Sequence, residues 1–178
     1  MIEKNINDSW KQNRIESCRN GTNPTFITEL KSGYVVIGDT QFLPGYCVLL
    51  YKHNIKTLNE LEIEERQQFL LDMTLIGDAI KEIYKPYKIN YEILGNLDEF
   101  VHAHIIPRYK WEGEKGKHSV RRYPKDKFKE EATQFMNIEN KEKIINDLKI
   151  ILEKLKNKYS WFNRVMALTK YINGEKWR

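Results

Sequence analysis

The residues in this sequence best suited to chemistry are two histidines two positions apart. His102 and His104 stand in Phe100-Val101-His102-Ala103-His104-Ile105-Ile106-Pro107-Arg108, and the chain holds two others, His53 and His118. On a strand, residues two apart share a face at about 6.5–7 Å. Both imidazoles then project from one face with Phe100 and Ile106, while Val101, Ala103 and Ile105 bury on the other. Such a pair suits phosphoryl chemistry: one neutral nitrogen attacks phosphorus and the second ring neutralises charge or donates to the leaving oxygen. A His-x-His pair also suits zinc, which needs a third ligand. His53, His118, Cys18 and Cys47 show no spacing that supports one. Hydrogen-bonded structural histidines are the third reading, and the pair alone leaves all three open.

Such a strand has to be held by a sheet. Three short strands are expected at 26–30, 34–37 and 45–51, separated by the turn Lys31-Ser32-Gly33 and a loop at 38–44. Phe69, Met73, Ile76, Ile80 and Ile83 recur at helical spacing, and Pro86 ends that helix. Thr57 and Glu60 resemble a capping box, although 58–63 also reads as a loop before the helix. Strands at 89–94 and 100–106 follow, split by the turn Gly95-Asn96. After a loose polar stretch, Ile144, Ile145, Leu148, Ile151, Leu152 and Leu155 form the stripe of a carboxy-terminal helix. The order predicts an α+β fold: an antiparallel sheet of about five strands, one long central helix and a carboxy-terminal helix. The expected organisation is 1–137, with an amino-terminal arm and a basic loop, and 138–178 packed on the same domain. The aromatic-rich stretch 159–178 folds back, docks on a second subunit or binds a partner.

The 178 residues suffice for one core, and the formal charge is +5. Between Lys110 and Lys129 lie Lys115, Lys117, Arg121, Arg122, Lys125 and Lys127 against Glu112, Glu114 and Asp126. Such a segment suits a polyanion or is a solvated surface loop. No apolar run approaches the roughly 20 residues of a membrane span. The first ten residues lack the apolar centre of a signal peptide, so the cytoplasm is the expected location. Cys18 and Cys47 read as small buried side chains rather than a disulfide.

The run His102-Ala103-His104-Ile105-Ile106-Pro107-Arg108 resembles the histidine triad (HIT) family, whose signature is His-φ-His-φ-His-φ-φ, often followed by Pro-Arg, with φ apolar. Asp39-Thr40-Gln41-Phe42-Leu43-Pro44-Gly45 and the apolar run after it resemble the family's loop and strand. Lys52-His53 resembles the basic residue and histidine that follow. Asn90-Tyr91-Glu92-Ile93-Leu94-Gly95-Asn96 resembles the strand and turn before the triad. Counting back from Pro107-Arg108, His104 takes the third histidine position, His102 the second, and Phe100 the first.

The resemblance implies that His102 attacks the α-phosphorus of a nucleotide derivative, giving a nucleotidyl-imidazole that water or another acceptor resolves. His104 would donate to phosphate or bridging oxygen. Asp39 would accept the ribose hydroxyls, Asn96 would approach the phosphates, Gln41 would face the nucleotide, and Arg108 would steer phosphate. Lys115, Lys117, Arg121 and Arg122 are candidates to reach a polyphosphate tail, and Asn90 reads as structural. The implied activity is nucleotide phosphoanhydride or phosphoramidate hydrolysis or nucleotidyl transfer, with dinucleoside polyphosphates as the first substrate class. The implied assembly is a homodimer. No tightly bound cofactor or protein-held metal is expected, and magnesium would ride on the substrate phosphates. Phe100 and the basic segment motivate an alternative, a nucleotide- or RNA-binding module with little turnover. Nucleic acid ranks below a nucleotide as partner.

Overall fold

A computed structural model describes residues 6–172 of the chain, with side chains described for 9–160. Five strands form one antiparallel sheet: β1 (Phe26–Glu29), β2 (Gly33–Ile37), β3 (Cys47–Tyr51), β4 (Lys88–Glu92) and β5 (His102–Arg108), in the order β1-β2-β3-β5-β4. The long helix α2 (Ile63–Tyr84) and the carboxy-terminal helix α3 (Lys141–Ile172) pack on one face. The short helix α1 (Arg14–Arg19) lies on the other. This is the α+β architecture expected from the sequence.

Strand alternation divides the sheet cleanly. Val35, Ile37, Cys47, Leu49, Ala103 and Ile105 meet Phe69, Ile76, Ile80, Leu148 and Leu152 in the main core. At about 25 cal/mol per Å² of apolar area removed from water, this layer is the main force flattening the sheet on its helices. Tyr34, Val36 and Leu50 face the opposite way, where α1 covers them with Ile15 and Cys18. His102 and His104 share that second face, since β5 obeys the same two-residue period.

The central helix starts at Ile63, not at the Thr57–Glu60 pair. There the Thr57 hydroxyl bonds Glu60 at 2.9 Å and closes a 3₁₀ turn, Leu58–Glu60. Glu62 and Glu65 form the capping box of α2 itself. The helix ends with Lys85 in the left-handed region, next to Pro86. Residues 110–137 make a chain of 3₁₀ turns, which lays Val120 and Tyr123 over Leu43 and Ile106. The backbone of the expected tail from 159 continues α3 without a break to Ile172. The packing of its aromatic side chains against the domain lies outside the described residues. Among the described residues no helix is long and apolar enough to cross a membrane, and both cysteines are buried free thiols.

Candidate active site

The two histidines project into a cleft of about 280 Å³ on the α1 side of the sheet, with Val36, Val48 and Leu50 as its floor. That volume is at the lower edge of the ~300–1,000 Å³ usual for small-molecule sites, room for a nucleoside rather than a dinucleotide. The imidazole centroids are 4.9 Å apart and the rings meet edge to face. β5 is an inner strand, paired with β3 on one side (Leu50 opposite His102, Val48 opposite His104) and with β4 on the other. His104 therefore stands on backbone paired from both sides, and His102, two residues towards the strand's start, on backbone paired with β3.

Each ring has one nitrogen already committed. His102 Nδ1 donates to the Phe100 carbonyl at 2.8 Å, so a neutral His102 keeps its lone pair on Nε2. Tyr46 bonds His104 Nδ1 at 2.5 Å, its ring stacked beside the imidazole at 5.9 Å between centroids. Burial pushes the Tyr46 phenol well above its usual pKa, so it stays protonated and donates. His104 accepts at Nδ1 and carries its proton on Nε2. Burial lowers the His104 pKa to about 3, assisted by its neighbours His102 and Arg121, which oppose a second positive charge there. One ring thus has the form of a nucleophile and the other that of a neutral donor.

Tyr46 reaches His104 because Gly38 has no side chain. A Cβ there would lie 2.2 Å from the Tyr46 ring, so any other residue would push the ring aside. The loop between β2 and β3 also turns at Gly45, whose φ of +88° suits glycine and whose Cβ would meet the Tyr84 ring at 2.6 Å. Gln41 locks this loop. Its amide nitrogen donates to the Gly38, Thr40 and Tyr46 carbonyls and its oxygen accepts from the Gly45 N–H. With both ends of the amide engaged, Gln41 is a strut of the loop and does not face a nucleotide as expected.

Asp39 does line the cleft. Arg14 of α1 grips it in a two-pronged pair, Nη1 to Oδ1 at 3.0 Å and Nη2 to Oδ2 at 2.6 Å. Asp98 also lines the cleft, whereas Asn96, two residues earlier, is exposed and outside it. The bend at 96–98 presents the carboxylate in place of the amide expected near the phosphates.

Arg108 departs furthest from its expected role. It is 1% exposed, and all five N–H groups have acceptors: the Glu112 carboxylate, Asn90 Oδ1 and the His118 and Lys115 carbonyls. No donor remains for phosphate. Burial disfavours the Glu112 anion, but Arg108, the Tyr109 N–H and the Tyr123 hydroxyl outweigh it and hold the carboxyl below its usual range. Arg108 is therefore the post on which the basic segment is fastened, with Asn90 as a second anchor. Of that segment, Lys117 is exposed and paired with Glu114, and Lys115 lies over the Tyr123 ring. Phe128 lines the cleft beyond Asp39.

Sequence reasoning missed Tyr46, Arg14, Asp98 and Phe128 as members of the site. Tyr46 had a signal in principle, since it follows the Pro44-Gly45 turn at the start of a strand that must pair with β5. The other three arrive through tertiary packing. Among the described residues no group of three or more His, Cys, Asp or Glu is placed to hold a metal, so His102 and His104 have no third ligand beside them.

Comparison with known proteins agrees with this fold. The HIT domain family matches residues 21–111. A histidine triad protein from Marinobacter aquaeolei VT8 superposes with a TM-score of 0.60 at 20% identity, covering 73% of this chain and 89% of its own. One from Bradyrhizobium japonicum gives 0.57 at 21% identity, with 71% and 89% covered. A third, from Sinorhizobium meliloti 1021, gives 0.51 at 22%, with 56% and 73% covered. No curated protein matches the chain in sequence. With a family match over half its length, the chain belongs to the histidine triad family.

Proposed function

We propose that this protein is a nucleotide hydrolase or nucleotidyl transferase that splits a phosphoanhydride or phosphoramidate through a nucleotidyl-His102 intermediate. The observation that carries the reading is the bond from His102 Nδ1 to the Phe100 carbonyl, which leaves Nε2 with its lone pair in the cleft. Attack forms a bond from Nε2 to the α-phosphorus. The bond from phosphorus to the leaving oxygen or nitrogen breaks and the leaving group takes its electron pair, a nitrogen departing as the neutral amine with a proton taken up from solvent. The imidazolium that results keeps its Nδ1 proton on the Phe100 carbonyl. Water then attacks the same phosphorus, the P–N pair returns to Nε2, and the water proton passes to solvent. His104 donates from Nε2 to an oxygen that gains charge, a donor set in advance by Tyr46.

Asp39 supports the nucleoside end. Each of its oxygens gives Arg14 one lone pair, and of roughly four lone-pair sites two remain for vicinal ribose hydroxyls. Phe100 does not weaken the reading, because the first triad position acts here through its main chain. Its ring lies 5.0 Å from that of His102 and packs the nucleophile in place. Magnesium, where the reaction uses it, would be carried by substrate phosphates. A homodimer belongs to the same reading, and β1 and β4 are the edges at which the sheet is open to a second copy.

The test is a panel of dinucleoside polyphosphates and adenosine phosphoramidate, with and without magnesium, run on wild type and His102→Ala with products resolved by chromatography. Loss of the nucleophile should lower turnover by at least about 10³-fold. Equal turnover by the two proteins, or nucleotide binding by wild type with no turnover on any substrate, would replace the enzyme with a binding module.

A further inference from the structure

Residues directly opposite in an antiparallel sheet share a face. Val36, Val48, His104 and Glu92 are opposite one another in turn, so they form one row across β2, β3, β5 and β4. With neighbouring strands about 4.8 Å apart, the row runs from the cleft floor, past the histidines, to a carboxylate one strand beyond. The cleft and Asp39 lie on the β2 side of His104, and no β4 residue lines that cleft. A nucleoside held at Asp39 with its α-phosphorus at His102 therefore sends its leaving group over β4.

On β4 a cation is waiting. Arg121, from the basic segment, donates from Nε to Glu92 Oε2 at 3.0 Å, and Ser119 donates to Glu92 Oε1 at 3.0 Å. Glu92 thus fixes the base of the guanidinium. Its Nη1 and Nη2 have no acceptor among the described residues, and the side chain is half exposed. Glu92 is directly opposite His104, so the guanidinium it holds lies one strand from the histidines, and its charge is felt at His104. Three other basic residues of the segment are engaged elsewhere: Lys115 lies over Tyr123, Lys117 is tied to Glu114 and Lys127 to Glu130.

We propose that Arg121 grips phosphate oxygens of the leaving group and so selects nucleotides whose α-phosphorus carries a further phosphate over phosphoramidates with an amine leaving group. This rests on the His102 reading above. When the phosphoanhydride breaks, the electron pair stays on the bridging oxygen, and the departing phosphate gains negative charge next to Arg121. The planar fork of arginine suits phosphate oxygens, and a charge-assisted bond that forms fully on cleavage favours the transition state. An amine leaving group offers no such partner.

The experiment compares wild type, Arg121→Gln and Arg121→Lys, all checked for the same thermal midpoint. Calorimetric titration with AMP, ADP and ATP, and with the guanosine series, measures what each added phosphate contributes. Wild type should bind the triphosphate about tenfold more tightly than the monophosphate, the size of one charge-assisted hydrogen bond. Arg121→Gln should flatten that increment and Arg121→Lys should keep part of it. The kcat/KM ratio of diadenosine triphosphate to adenosine phosphoramidate should fall about tenfold in Arg121→Gln. An increment that survives in Arg121→Gln, or equal losses on both substrates, overturns the assignment of Arg121. No nucleotide binding by wild type overturns the underlying reading of the site and this one with it.

Discussion

Two imidazoles in van der Waals contact cannot both be charged without cost, and this site has made one of them permanently neutral. His104 is half-buried, lies beside His102 and feels Arg121, and the loss of solvent chiefly lowers its pKa to about 3. The Tyr46 hydroxyl fills its Nδ1 and assigns the proton to Nε2. Nitrogen-detected NMR should therefore find the His104 ring neutral, as the Nε2–H form, from about pH 5 to 8. The folded value lies below that of the unfolded chain, so the native state binds fewer protons between the two. His104 thus contributes stability that is complete above about pH 6.5 and is lost as the pH falls towards 3, and the urea midpoint should drop on acidification through that window. Tyr46→Phe leaves Nδ1 without a donor. It should slow turnover about tenfold, the equivalent of about 1.4 kcal/mol in the barrier, with KM changed little. A lost Nε2–H signature in that variant would tie the rate to the tautomer.

The elements that carry the site are held by a buried ion pair at the end of β5. Arg108 and Glu112 are both inaccessible, and their bonds reach the carbonyls of Lys115 and His118. Glu112→Gln strands a buried guanidinium and should cost about 3–5 kcal/mol in urea unfolding. The Glu112 pKa is depressed in the fold, so its contribution is present above the ordinary carboxylate range and lost as the pH falls through the lowered value. The histidine strand and α2 were legible in the sequence because each repeats its burial pattern over many residues, at a period of two or of 3.6. Arg108 was not. A Pro-Arg at a strand end looks the same on a surface as in a core, and its partners sit in 3₁₀ turns without periodicity. Gln41 and Asn96 failed for a related reason. An amide in a loop can hold backbone or face a ligand, and only the path of the loop decides. Asp39 could be placed from its loop, but its Arg14 partner lies 25 positions away on an arm with no motif of its own.

At the scale of the molecule, the family match ends where the cleft is still unfinished. Residues 21–111 supply the sheet, both histidines, Tyr46, Asp39 and Asp98. Arg14, from before that span, and Phe128, from after it, complete the cleft, and Arg121 beside it also comes from after the span. A protein cut to 21–111 should expose Val36, Leu50 and Ile106, which α1 and the 3₁₀ segment now cover, and also the main core that Leu148 and Leu152 of α3 close. It should aggregate, or bind nucleotide markedly less tightly than the full chain in the same calorimetric titration. The division has a further consequence for how such a protein changes over time. On the function proposed above, both histidines lie within the family span, while Arg121 and part of the cleft wall lie outside it. A relative with the same triad strand and different margins is therefore expected to differ in what it binds, so membership of the family does not by itself fix the substrate.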